Sequence, residues 1–75
     1  MFTVRVEKND ANVRPVRGYE GEYYMIDWDG YDWIITLGPQ IEHVVISEGD
    51  RAYIMNSYGK TVDKIVHLGA KHSNG

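Results

Sequence analysis

Glu22-Tyr23-Tyr24-Met25-Ile26-Asp27-Trp28-Asp29-Gly30-Tyr31-Asp32-Trp33-Ile34-Ile35-Thr36-Leu37 is the segment on which the fold depends. β-Branched and aromatic side chains fill both arms. The Asp29-Gly30 pair between them is a strong short-range hairpin signal, because a two-residue turn needs residues that tolerate positive φ. Such a turn sets Trp28 opposite Tyr31, Asp27 opposite Asp32, Ile26 opposite Trp33, Met25 opposite Ile34 and Tyr24 opposite Ile35. Pleating then places Tyr24, Ile26, Trp28, Tyr31, Trp33 and Ile35 on one side, with Tyr23, Met25, Asp27, Asp32 and Ile34 on the other.

Outward from this hairpin, the same period of two recurs. Phe2, Val4 and Val6 alternate with Thr3, Arg5 and Glu7, as in a strand with one buried face. Residues 8–12 read as a turn, and Val13 to Arg17 reads as an edge strand because Pro15 lacks the donor a central ladder needs. On the far side, Gly38-Pro39-Gln40 breaks the chain before Ile41 to Ser47, whose Val44-Val45-Ile46 run suggests a strand covered on both faces. Glu48-Gly49-Asp50 makes a further turn and Arg51 to Asn56 is extended. Asn56-Ser57-Tyr58-Gly59 fits a type I turn followed by a left-handed glycine. Thr61 to Leu68 fits a returning strand, with two turns of helix as the alternative, since Thr61 suits an N-cap and Gly69 a helix end.

Short strands joined by tight turns, without a long crossover, give an all-β fold: a small antiparallel barrel or sandwich of five to six strands, with the C-terminal helix as the one variant. Residues 1–69 form a single domain and 70–75 a loose tail. At 75 residues the core is near the lower limit for independent stability, so association with a second copy is a natural option. There is no cysteine, and hence neither a disulfide scaffold nor a thiolate zinc site. No basic-then-apolar leader and no run long enough for a bilayer-spanning helix occur, which makes a soluble cytoplasmic protein the default expectation.

Charge is the informative part of the composition. Gly18 to Asp50 contains eight of the eleven acids and no Lys or Arg, while the flanks hold all eight basic residues against three acids. The same middle stretch holds Tyr19, Tyr23, Tyr24, Trp28, Tyr31 and Trp33, six of the nine aromatic residues. A net charge of −3 therefore hides two opposed regions. Net acidity argues against general nucleic-acid coating, which relies on clustered Lys and Arg.

No motif commits the chain to catalysis. Asp27, Asp29 and Asp32 lack the glycine and glutamate spacing of a calcium-binding loop, so no metal is assigned. Gly59-Lys60-Thr61 resembles the end of a phosphate loop, but Ile54 stands where that motif needs glycine. The three histidines are scattered, and no serine has an evident base, so no catalytic residue and no cofactor are implied.

The acids and rings carry the functional expectation. Tyr24, Trp28, Tyr31 and Trp33 are core candidates, whereas Tyr19 and Tyr23 are candidates for exposure. Facing carboxylates at Asp27 and Asp32 would repel by a few tenths to about 1 kcal/mol, which Arg14, Arg17, Lys60 or a partner's cation would relieve. The expected partner-binding residues are Tyr19, Glu20, Glu22, Tyr23, Asp27, Asp29, Tyr31 and Asp32, and the expected partner is a protein with a basic surface. A protein that binds nucleic acid offers such a surface, which makes inhibition one outcome of binding. Two alternatives compete: a single-strand nucleic-acid module using rings with Arg5, Arg14, Arg17, Lys60 and Lys64, and a structural homo-oligomer joined by its opposite charges or edge strands.

Overall fold

The computed structural model describes residues 1–10 and 12–69, with the backbone alone at Arg17. Seven strands follow one another: β1 (Phe2–Glu7), β2 (Val16–Gly21), β3 (Tyr23–Trp28), β4 (Trp33–Gly38), β5 (Glu42–Ile46), β6 (Arg51–Met55) and β7 (Thr61–Val66). All pairings are antiparallel and form two sheets, β2-β1-β6-β7 and β3-β4-β5, rather than one closed barrel. The all-β expectation holds, and the strand number rises to seven. None of the described residues is helical, so no helix among them is long and apolar enough to cross a membrane.

Residues 61–66 form the returning strand and not the helical alternative, because the preceding turn reverses the chain onto β6, while two other local expectations change. Asn56 closes that turn: its Oδ1 accepts the N–H groups of Tyr58 and Lys60 at 2.9 and 3.0 Å, and Gly59 takes φ 80°. The edge strand expected at Val13 to Arg17 runs instead from Val16 to Gly21, beginning just after Pro15 so that no ladder donor is lost. The strand expected to be covered on both faces, β5, is an edge: Val44 and Ile46 are buried, but Val45 is 49% exposed. The expected loose tail, 70–75, lies outside the described residues.

Within its two strands the hairpin keeps its faces but not its register. The ladder pairs Trp28 with Trp33, Asp27 with Ile34, Ile26 with Ile35 and Met25 with Thr36. The loop is therefore four residues, Asp29 to Asp32, closed by Asp29 N–H donating to the Asp32 carbonyl at 3.1 Å. The Asp29 carboxylate explains the extra length, since it accepts the Tyr31 and Asp32 N–H groups at 2.8 and 2.7 Å, which a two-residue turn would leave without it. A slip of two residues preserves which side chains face inward. It also abolishes the expected Asp27–Asp32 opposition.

One core serves both sheets. Val4, Val6, Ala52, Ile54 and Ile65 from the four-stranded sheet meet Ile35, Leu37, Val44 and Ile46 from the three-stranded sheet, with Phe2, Tyr19, Tyr24, Ile26 and Trp33 packed around them. The chain passes between sheets at Gly21, where a Cβ would stand 2.8 Å from that of Leu37, so only glycine fits this corner. Glu22 N–H then donates to the Gly38 carbonyl at 2.7 Å, fastening the corner to the end of β4.

Candidate functional site

Alternation along β3 and β5 decides what the three-stranded sheet shows to solvent. Tyr24, Ile26, Val44 and Ile46 turn inward. Tyr23, Met25 and Val45 therefore lie on the opposite face, 52%, 58% and 49% exposed, beside Asp27, which pairs across the ladder with Ile34. The Tyr23 ring lies against Gly38, which has no side chain to displace it. His43 shares this face and its Nδ1 lies 3.0 Å from Thr36 Oγ1. Among the described residues, no Lys or Arg forms an ion pair with Glu20, Glu22, Asp27, Asp29 or Glu42.

The eight expected partner-binding residues separate into groups. Tyr23 and Asp27 share the outward face of β3. Glu20 and Glu22 stand at the corner between β2 and β3, both exposed. Asp29, Tyr31 and Asp32 form the hairpin tip, where Tyr31 is 78% exposed rather than in the core. Tyr19 departs from expectation: opposite Val4 in the ladder, it points inward and packs on the core. The carboxylates thus border the sheet at two ends, with Tyr23, Met25 and Val45 between them.

The tip is held from behind by His67, a residue that no local motif marks. Its ring is buried and Nδ1 accepts the Gly69 N–H at 2.9 Å, which leaves Nε2 as the donor. That donor is shared by the Tyr31 carbonyl at 2.8 Å and Asp32 Oδ1 at 3.0 Å, while the Trp28 ring packs edge-on at 5.3 Å. Asp32 is thereby engaged within the chain. The carboxyl of Asp29 titrates below its ordinary range because the Asp32 N–H, then the Tyr31 N–H, bind its charged form.

A cleft of about 850 Å³ opens at the other end of the sheet, with Glu20, Glu22, Leu37, Ile41, Glu42 and His43 in its lining. Glu42 and Ile41 went unnoticed in the sequence because one is a lone acid and the other sits at the start of an apolar run. Ile41 is conspicuous only in three dimensions, where it holds φ 49° and is 56% exposed.

The outward face of the four-stranded sheet is different in kind. Arg5 and Arg51 approach Glu7 at 3.1 and 3.9 Å, the Tyr53 hydroxyl donates to Glu7 at 3.3 Å, and Lys64 Nζ stands 5.5 Å from the Tyr53 ring centroid. No three His, Asp or Glu side chains converge as a metal site among the described residues. No family model matches the chain, and no curated protein or solved structure does either.

Proposed function

We propose that this chain is a non-enzymatic protein-binding module whose three-stranded sheet engages a basic surface on another protein. The observation that carries the reading is the outward face of β3 and β5, where Tyr23, Met25 and Val45 are exposed together beside Asp27, with Glu22 and Glu42 at the cleft beyond the end of that face. Rings and methionine supply contact area, and the carboxylates, which pair with no Lys or Arg among the described residues, supply steering toward a cation-rich partner. If that partner binds nucleic acid, the module inhibits it by placing carboxylates where phosphates would lie. The shared core supports describing the two sheets as a sandwich, which keeps this face rigid. The nucleic-acid alternative is weaker because Tyr53, the ring flanked by Arg5 and Lys64, is already occupied by Lys64 and Glu7.

Asp29 and Asp32 hold the hairpin loop, so the informative variant is Glu22→Gln, Asp27→Asn and Glu42→Gln together. A partner captured from nuclease-treated lysate should bind this variant more weakly, with a flatter dependence on salt. Unchanged affinity together with unchanged salt dependence would remove this face from consideration.

A further inference from the structure

We infer that β5 is a receptor edge that takes an extended, lysine- or arginine-bearing segment of the partner as an added strand. This deepens the protein-binding reading and rests on it. Four strands end the two sheets, and three of them are guarded. β2 follows Pro15 and its ladder shifts register between Val4 and Arg5; the β7 ladder shifts between Ile54 and Met55, and β7 carries Lys64. Bulges, proline and lysine are devices that discourage edge pairing. β3 is tied to the end of the other sheet, since the Tyr24 hydroxyl donates to Asp63 at 3.2 Å and Trp28 packs on His67. β5 has none of these: Glu42 to Ile46 pairs with β4 without a register shift and contains no Pro, Lys or Arg.

The start of this edge selects the charge of the incoming strand. Glu20, Glu22 and Glu42 line the cleft there, with Leu37 and Ile41 as its apolar members. A Lys or Arg side chain fits that combination, laying its methylenes on the apolar residues and its charge among the carboxylates. Ile41 is held at φ 49°, a left-handed conformation unfavourable for a β-branched residue, and this conformation leaves its side chain exposed at the cleft. Main-chain bonds to β5 would supply affinity, and alternate side chains would meet His43 and Val45.

The test uses the full chain with a labelled peptide alternating valine and lysine, and a counterpart alternating valine and glutamate. The lysine peptide should raise fluorescence anisotropy at low salt and slow amide exchange at Glu42 to Ile46. Glu20→Gln, Glu22→Gln and Glu42→Gln together should weaken it about tenfold. Ile41→Gly should also weaken it while the variant stays folded. Equal binding of both peptides, binding of neither, or protection confined to another strand overturns the inference. So does slowed exchange at β5 that grows with protein concentration in the absence of peptide, since a second copy then occupies the edge. A captured basic protein that loses affinity on neutralising Glu22, Asp27 and Glu42, yet leaves β5 exchange unaltered, overturns the added strand and keeps the proposed function.

Discussion

On the four-stranded sheet, Arg5 and Arg51 share Glu7 and Lys64 stands by Tyr53, whereas on the three-stranded sheet Tyr23, Met25 and Val45 lie open beside carboxylates that pair with no Lys or Arg among the described residues. Both faces are made by the same alternation of inward and outward residues. The difference lies in satisfaction: one face has its charges answered within the chain and both its edge ladders interrupted, whereas on the other the carboxylates have no Lys or Arg partner among the described residues and β5 is a bare edge. Surfaces whose charges are already paired have less to gain from a partner. The acidic face is therefore the better place to look for one.

The two faces share one core and should unfold as one cooperative unit, which the largest expected effect tests. Ile54→Ala in β6 or Ile35→Ala in β4 should each cost about 2–5 kcal/mol, and each should lower the denaturant midpoint reported by the tryptophans of the three-stranded sheet. A midpoint that moves only for Ile35→Ala would divide the core in two.

The joint between the sheets comes next. Asp50 is buried, meets Lys8 Nζ at 3.2 Å, accepts the Asn9 N–H at 2.9 Å, and through its own carbonyl accepts the His67 N–H at 3.1 Å. Asp50→Ala removes the acceptor of Lys8 and Asn9 while keeping the main-chain bond from His67, and a loss of about 1–3 kcal/mol should appear in thermal or chemical unfolding.

Ile41→Gly should act in the opposite direction, stabilising the unbound chain by about 1 kcal/mol as the left-handed strain is relieved. A destabilised variant would show that Ile41 packs in the free protein and is not held for a partner.

Smaller effects separate the two faces directly. Glu7→Gln leaves two arginines without their shared carboxylate and should cost up to about 1 kcal/mol, less at high salt. Neutralising Glu22, Asp27 and Glu42 together should change stability by no more than about 0.5 kcal/mol, because none of them forms an ion pair among the described residues. Equal losses from both changes would show that the two faces do not differ in how their charges are satisfied.

The pH limits of stability should be set at the hairpin and at its tie to β7. The pKa of Asp29 is lowered on folding, so its contribution is present above the ordinary carboxylate value of 3.8 and fades as pH falls through the lowered one. Asp29→Asn keeps an acceptor for the loop and should flatten the acid limb of the stability profile. Burial first, then the hydrogen bond to Asp63 and its charge, raise Tyr24 above 10.0, so its contribution is complete below that pH and fades as pH rises through the raised value. Tyr24→Phe should remove this alkaline loss in denaturation measured from pH 8 to about 11.

Particular residues show how far the sequence could be read. Phe2, Val4 and Val6 and the Asp29-Gly30 hairpin were legible because a period of two and turn chemistry are local properties. The hairpin register was not, since the side chain of Asp29 competes with its backbone in choosing the loop. Tyr19 and Tyr31 exchanged their expected places: a bulge beside Gly18 and a four-residue loop decide which ring meets the core, and neither is marked by residue type alone.

Local pattern by itself determined that this chain is all-β, that its middle third is acidic and aromatic, and where most of its turns fall. The partition into two sheets was decided by the tertiary structure, through the Gly21 corner that lets the chain leave one ladder for the other. The same corner placed Glu20 and Glu22 beside Glu42, residues about twenty apart in the chain, and left β5 as a bare edge. Side-chain period reports which way a residue faces within a strand; which strands become neighbours depends on contacts between distant segments.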